Sequence, residues 1–276
     1  MRVLLLTCDQ PNQWALAHRM AQHADLAAIV FSGNRTAGSA ESKTVSRIRR
    51  LVRGLAGFPF RQAWFGLQKT YRDEFGGPPD VETIRVPEVN DPEVARFVER
   101  IRPDLVLVSG TNLLRGPLIE AATSWSRLGV VNLHTGLSPY LRGGPNCTNW
   151  CLALCRPWLV GNTVMWIDQG IDSGDLITTE CTPLNGSEGL KDLHRKVMNH
   201  AHDLVLRAMR AIDAGEQHRH PQADFEEPGD LYLTRDWTPL QAFLALCHHR
   251  LGYRRAFVKG IVKRERAALN TIDLVS

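Results

Sequence analysis

The chain has 276 residues, enough for one large domain or one domain with a small extension. Hydrophobic residues make up 43% of it and charged residues 22%, as in ordinary globular proteins, and a net charge of +4 is too small to indicate a nucleic-acid partner by itself. The apolar run 3–6 is too short for a signal peptide and no stretch is long enough to span a membrane, so we expect a cytoplasmic protein with no membrane partner.

The predicted strands of the first half are short apolar runs rich in Val, Leu and Ile. They lack a clean alternation of polar and apolar residues, which is typical of strands buried on both faces of a sheet. These runs lie at residues 3–7, 26–31, 83–86, 105–108 and 129–133.

Helices are predicted between these strands, most clearly after Asp91, which can cap a helix whose first position is Pro92. The alternation of strands and helices predicts an α/β fold with a doubly wound, mainly parallel sheet.

Residues 43–72 hold eight Lys and Arg residues. That composition suits a solvated amphipathic helix in a long connection, and it also suits a surface for an anionic substrate or RNA.

Residues 160–181 indicate a β-hairpin added to the parallel sheet, with a tight turn around QGIDSG. Ser187 is the predicted cap of a long amphipathic helix that follows the hairpin. We expect a main domain over residues 1–215 and a small C-terminal extension over 216–276. An apolar helix is predicted near residues 240–251, and its apolar positions suggest a homodimer contact.

The six cysteines are expected to be reduced, because the chain has no feature of a secreted protein. Cys147, Cys151 and Cys155 recur every fourth residue, so on a helix they would form one stripe. Their spacing matches no usual zinc or iron–sulfur pattern. We expect buried helical cysteines, with a metal or redox role as the alternative.

Two polar side chains stand at the end of the run 129–133. In an open parallel sheet ligands bind beyond the carboxyl ends of the strands, and residues two apart in a strand point the same way. Asn132 and His134 would therefore project together into one pocket. An amide that donates hydrogen bonds and an imidazole that exchanges a proton suit a reaction in which a carbonyl oxygen becomes negative. The alternative is a structural histidine at a strand end.

A carboxylate would orient and charge this histidine, and the predicted hairpin turn offers Asp168, Asp172 and Asp175. Asp172 lies between Gly170 and Gly174, where the backbone can approach a ligand closely. A carboxylate beside an imidazole raises the pKa of that imidazole and favours its protonated form.

The segments NLHTGLSPYLRGG, 132–144, and GNTVMWIDQGIDSGD, 161–175, resemble the signature of the folate-dependent formyltransferases, most of all the sugar N-formyltransferases. The resemblance implies a Rossmann-like formyltransferase core over residues 1–215. It implies transfer of a formyl group from 10-formyltetrahydrofolate to a primary amine without a metal. Asn132, His134 and Asp172 would be the catalytic residues: the first two as donors to the negative oxygen, and Asp172 to keep His134 charged and relay the amine's proton.

The resemblance also implies two sets of binding residues. The folate would be bound by Ser109, Gly110, Thr111, Asn112, Leu113, Leu114, Asp168 and Ile171. The acceptor would be bound by Gln10, Asn12, Arg142, Gly143, Gly144, Asn146 and Trp150. An ordinary strand-to-helix connection would also explain residues 109–114, and helix packing would also explain Trp150.

Two departures from the family pattern concern the loop after His134. Gly136 stands where the family usually has serine, and Ser138 where it has leucine, which alters the hydrogen bonding of this loop. The first loop also lacks the glycine-rich phosphate cradle of the purine-pathway members. We therefore expect a nucleotide-linked amino sugar as the acceptor rather than a ribotide.

Three alternatives remain for the function. Formylation of initiator methionyl-tRNA is less expected, because that relative carries a larger C-terminal domain, so no nucleic-acid partner is expected. Hydrolysis of the folate to formate is less expected, because that relative normally has an N-terminal regulatory domain. A non-catalytic folate-binding relative would not need all three catalytic residues.

Overall fold

The structure is a computed structural model that describes residues 1–33, 47–144, 146–225 and 229–274. Its strands are β1 (Arg2–Thr7), β2 (Asp25–Ser32), β3 (Glu82–Val86), β4 (Leu105–Ser109), β5 (Gly129–His134), β6 (Leu141–Gly143), β7 (Gly161–Trp166), β8 (Leu176–Cys181) and β9 (Asp230–Tyr232). Its helices are α1 (Pro11–His23), α2 (Arg47–Phe75), α3 (Pro92–Ile101), α4 (Gly116–Trp125), α5 (Cys147–Ala153), α6 (Leu190–Asp213), α7 (Pro239–His248), α8 (Arg254–Val258) and α9 (Ile261–Ala267), with a π-helical turn, His249–Tyr253, after α7.

Seven of the described strands form one sheet in the order β3-β2-β1-β4-β5-β7-β8. Strands β1 to β5 pair in parallel, whereas β7 is antiparallel to both β5 and β8. The predicted α/β fold, with a mainly parallel sheet and an added hairpin, is therefore confirmed. Each predicted strand is present, and its ends lie within two residues of the predicted ones.

Strand β1 shows why the apolar runs do not alternate. Val3 and Leu5 belong to an apolar core shared with α1 and α6, whereas Leu4 and Leu6 belong to a second core shared with α3 and α4. All four side chains are fully buried. Successive residues of a strand point to opposite faces of the sheet, and helices cover both faces here.

The helix predictions are correct for α3 and α2 and wrong for the start of α6. Asp91 caps α3 by accepting a hydrogen bond from the Glu93 N–H at 2.9 Å, and Pro92 is the first helical residue. Helix α2 contains residues 47–72 of the basic segment, whose first residues, 43–46, lie outside the described part of the chain. Helix α6 begins at Leu190 after Gly189, and the Ser187 hydroxyl instead donates to Asn185.

The cysteine stripe is only partly helical. Cys147 and Cys151 are buried in α5, but Cys155 follows the end of this helix, has a φ of 56° and is exposed. The expectation of three buried helical cysteines is thus wrong for Cys155, because the chain leaves the helix before reaching it.

The C-terminal extension packs against the rest of the chain at several places. Strand β9 pairs with β6, Ile272 bridges Thr179 of β8, and Tyr253 is buried in a core with α5. The helix predicted near 240–251 is present as α7 and the π-helical turn. The domain division at residue 215 and the homodimer contact remain predictions.

Candidate active site

A cavity of about 780 Å³ opens at the carboxyl-terminal edge of β1, β4 and β5. Its walls come from the segments that follow these strands, from the turn between β7 and β8, and from α2 and α6. The loops after parallel strands converge at this edge, which is where open α/β sheets bind ligands. This cavity is the candidate site.

Strand β5 carries two of the predicted catalytic residues into the cavity. Asn132 and His134 both line it, and in the pairing with β7 they lie opposite Met165 and Thr163. His134 is 8% exposed, so its ring is largely withdrawn from water. The strand alone sets the spacing of the two side chains, because residues two apart share a face.

The third predicted residue, Asp172, joins them from the hairpin turn (residues 167–175). Its Oδ1 accepts a hydrogen bond from Asn132 Nδ2 at 3.2 Å, and its Oδ2 lies 3.3 Å from His134 Nδ1. The same Oδ2 accepts from the Gly143 N–H at 2.9 Å. One carboxylate therefore contacts the amide, the imidazole and the loop after β5 together.

The conformation of the hairpin turn is set by its own side chains and glycines. Asp172 has a φ of 49°, in the left-handed region that Asp tolerates better than most residues. Asp168 accepts hydrogen bonds from the Gly170 N–H at 3.0 Å and from the Ser173 hydroxyl at 2.9 Å. A Cβ on Gly174 would overlap the Trp166 main-chain oxygen. This glycine therefore leaves room for the Trp166 main chain, and it also lines the cavity.

The residues predicted to bind folate form one wall of the cavity. Ser109, Gly110, Thr111, Asn112, Leu113, Leu114, Asp168 and Ile171 all line it. Leu113 is 50% and Ile171 36% exposed, which leaves two apolar side chains uncovered beside polar main chain. Asn90, which the sequence did not single out, supports this wall by donating to Leu113 O at 3.0 Å and accepting from the Arg115 N–H at 2.7 Å.

Most of the residues predicted to bind the acceptor also line the cavity. These are Gln10, Asn12, Gly143, Gly144 and Asn146. Asn12 also exchanges hydrogen bonds with Gln68 of α2, at 3.1 Å and 2.9 Å, so it has a structural role at the start of α1.

Arg142 and Trp150 are not among the residues that line the cavity. Trp150 is 3% exposed, stacks on Tyr232 at 4.3 Å between ring centroids and donates from Nε1 to Gly144 O. Arg142 lies in β6 opposite Leu231 of β9. For Trp150 the structure supports the alternative of a packing role, and the position of Arg142 gives no contact with this cavity.

Two histidines of α6 that sequence reasoning missed also line the cavity. Burial lowers the pKa of His194 to about 4 and that of His202 to about 3, with His249 and Arg19 adding smaller effects in the same direction. Both rings are therefore neutral at pH 7. They lie on a helix far from β5 in sequence, so no motif marked them.

Asn132, His134 and Asp172 thus place an amide, an imidazole and a carboxylate in mutual contact at the carboxyl edge of the α/β sheet. A family model described as formyl transferase matches residues 2–209. The chain therefore belongs to the formyl transferase family.

Similar proteins agree with this assignment. The chain is 33% identical over 144 residues to the methionyl-tRNA formyltransferase of Syntrophus aciditrophicus (strain SB), an alignment that covers 52% of this chain and 45% of that protein. The chain thus spans about half the length of the curated relatives it matches.

Two solved structures share the fold. A sugar N-formyltransferase from a Shewanella species has a TM-score of 0.55 at 15% identity, covering 90% of this chain and 87% of that one. An N-formyltransferase from Helicobacter canadensis, in complex with folinic acid and dTDP-3-aminofucose, has a TM-score of 0.54 at 13% identity, covering 94% and 81%.

The described residues lack two features. None of their helices is long and apolar enough to cross a membrane. Nor do they include a group of three or more His, Cys, Asp or Glu residues that could hold a metal ion.

Proposed function

We propose that this protein transfers a formyl group from 10-formyltetrahydrofolate to the amine of a nucleotide-linked amino sugar. The observation that carries the proposal is the contact of Asp172 with both Asn132 and His134 at the wall of the cavity. Formyl transfer needs hydrogen-bond donors for a carbonyl oxygen that becomes negative and an acceptor for the proton of the attacking amine. This cluster holds both.

Asn132 and His134 are the donors in this mechanism. One N–H of the Asn132 amide is directed to Asp172, which leaves its second N–H for the formyl oxygen. The Nδ1 of His134 lies 3.3 Å from Asp172 Oδ2, and its N–H is shared between this carboxylate and the formyl oxygen. A donor of this kind contributes about 3–4 kcal/mol to transition-state stabilisation.

Asp172 is the proton acceptor. An attacking amine acquires positive charge and must lose a proton, and Asp172 is the carboxylate that the cavity places beside the two donors. Its Oδ2 is held by the Gly143 N–H, so the carboxylate does not need to reorient for this step.

The folate wall fits a flat heterocycle. Leu113 and Ile171 offer uncovered apolar surface for its faces, and the polar residues Ser109, Thr111 and Asn112 line the cavity beside them. The complex of the Helicobacter canadensis protein with folinic acid and an aminofucose nucleotide supports the same pair of ligands for this chain. When bound, 10-formyltetrahydrofolate supplies the formyl group.

The direct test is formyl transfer to a panel of amines. The purified protein would be given 10-formyltetrahydrofolate with nucleotide-linked amino sugars that differ in base and amine position, with initiator methionyl-tRNA, or with no acceptor, and the products identified by mass spectrometry. Formylation of an amino sugar supports the proposal. Formylation of the tRNA alone, which the curated relatives suggest as the second candidate, or release of formate in every reaction would contradict it.

A further inference from the structure

The second ring nitrogen of His134 faces away from Asp172, toward α5. Its Nε2 lies 3.6 Å from the sulfur of Cys147, which is 3% exposed. The Cys147 thiol donates in turn to the Gly143 main-chain oxygen at 3.4 Å. Among the described residues, Asp172 and Cys147 are the titratable groups in direct contact with His134.

These contacts close a ring of four residues. Asp172 Oδ2 lies 3.3 Å from His134 Nδ1 and accepts from the Gly143 N–H, while Cys147 contacts both Gly143 and His134 Nε2. Gly143 has a φ of 89°, and a Cβ there would overlap the Tyr232 main-chain oxygen. Gly143, which contacts both Asp172 and Cys147, is therefore itself held in place by β9.

Gly136 leaves the space that the contact between His134 and Cys147 requires. A Cβ at position 136 would overlap His134 Nε2 and lie 2.8 Å from Cys147 Sγ. The loop cannot easily retreat, because the Gly136 main-chain oxygen accepts from the Thr163 hydroxyl at 2.8 Å and Thr163 is fully buried. Glycine in place of the serine expected for the family is thus linked to the contact between His134 and Cys147.

The thiol is in the right protonation state for this contact. Burial, followed by the nearby Cys151 and Asp172, raises the pKa of Cys147 well above its usual value, so the sulfur keeps its proton at neutral pH. The S–H then donates to Gly143, and a sulfur lone pair is left to accept the Nε2–H of His134.

We propose that Cys147 is a positioning residue for His134: it accepts the Nε2–H and thereby directs the Nδ1–H toward Asp172 and the reacting oxygen. This inference rests on the proposed role of His134 in formyl transfer. Each ring nitrogen of His134 then has a hydrogen-bond partner, and the imidazole cannot turn over without losing both contacts.

The test compares Cys147→Ala with Cys151→Ala, a matched deletion of a buried thiol one helical turn later. Histidine-selective ¹⁵N NMR would report the protonation of the His134 nitrogens, and steady-state kinetics would report kcat and KM. In the wild type we expect the proton on Nε2. In Cys147→Ala we expect the ¹⁵N signal of Nε2 to move because its hydrogen bond is lost, and kcat to fall by about tenfold, the scale of one hydrogen bond to a charged group, with KM within about twofold.

Cys151→Ala should change neither quantity, and Cys147→Ser, which retains an acceptor, should restore most of the loss. Equal His134 signals and equal kcat in Cys147→Ala and Cys151→Ala would overturn the inference. If Cys147→Ala folds poorly, Gly136→Ala tests the same contact from the opposite side and should shift the His134 signals alike. Failure of the wild type to transfer formyl groups would refute the proposed function, whereas the NMR result tests the positioning independently.

Discussion

The side-chain amide of Gln222 donates to the main-chain oxygen of Asp172 at 2.9 Å and to that of Gly174 at 2.9 Å. Gln222 belongs to the C-terminal extension, so the hairpin turn is held by a residue 50 positions further along the chain. The left-handed backbone of Asp172 costs a non-glycine residue about 1–2 kcal/mol, and such a conformation persists only where the surroundings maintain it.

Replacing Gln222 should therefore weaken catalysis without touching a catalytic group. Gln222→Glu keeps the shape but removes the amide donor and sets a carboxylate against two carbonyl oxygens. We expect kcat to fall about tenfold, because displacement of a catalytic group by a fraction of an ångström has effects of at least this size. Steady-state kinetics would measure it, with Gln217→Ala, an exposed glutamine of the same extension, as the control. An unchanged kcat would show that the turn keeps its conformation without the Gln222 amide.

Removing the charge of Asp172 should cost far more. Asp172→Asn keeps the size of the side chain but cannot accept the amine's proton, and it loses the negative charge that faces His134 Nδ1. We expect kcat to fall about 10²–10⁴-fold, the usual contribution of a general base, while the thermal unfolding temperature stays within a few degrees. Asp175→Asn in the same turn, whose partner is the surface residue Arg219, should keep near-normal turnover. Comparable losses of kcat in the two variants would show that a disturbed turn, and not the missing Asp172 carboxylate, lowers turnover.

Glu188 fixes the extension to the main part of the chain. Its buried carboxylate contacts Lys196 at 2.6 Å and accepts from the Tyr253 hydroxyl at 2.8 Å. Burial raises the pKa of Glu188, but the bonds from Lys196, the Asn185 N–H and Tyr253 outweigh this effect and lower it to about 2.

Because the folded-state pKa is depressed, Glu188 stabilises the fold above pH 4.5 and loses this effect as the pH falls toward 2. Glu188→Gln should lower the free energy of unfolding at pH 7 by about 2–3 kcal/mol, and the loss should shrink between pH 4.5 and 2. Urea unfolding at several pH values would measure this, with Glu216→Gln, whose side chain is 57% exposed, as the control. A loss that does not depend on pH would contradict the assignment.

The two buried histidines of α6 predict a second loss of stability as the pH falls, in the range from 6.5 to 4, which begins above the range for Glu188. Their pKa values fall from 6.5 to about 4 for His194 and about 3 for His202, chiefly through burial. The unfolded chain therefore binds more protons between pH 6.5 and 4, and stability declines as the pH falls through this range. By pH 5 each histidine should cost roughly 2 kcal/mol relative to pH 7. In His194→Gln the slope of unfolding free energy against pH should be smaller; an unaltered slope would show that this ring is not buried in solution.

The sheet and the clustering of the three proposed catalytic residues could be predicted from the sequence because their signals are local. Apolar runs buried on both faces mark parallel strands, and the two-residue spacing of Asn132 and His134 at a strand end places both side chains in one cavity. Asp172 was identified by its glycine-flanked turn. The resemblance to a family then assigned their roles, which remain proposals.

The supporting residues could not be predicted because their contacts join distant segments. Gln222 reaches the hairpin turn from the extension, Asn90 supports the cavity wall at Leu113 from the segment before α3, and His202 enters the cavity from α6. The misplaced cap at Ser187 has a related cause, since Glu188 accepts the Asn185 and Gly186 N–H groups and keeps the chain non-helical up to Gly189.

The most direct test of the central claim, that Asn132, His134 and Asp172 catalyse formyl transfer, is the turnover of His134→Ala with the acceptor that the wild type formylates best. The loss of the imidazole removes one donor to the developing oxyanion and should lower kcat by about 10²–10³-fold. Circular dichroism should confirm that the variant remains folded. Turnover close to that of the wild type in a folded His134→Ala protein would contradict the mechanism.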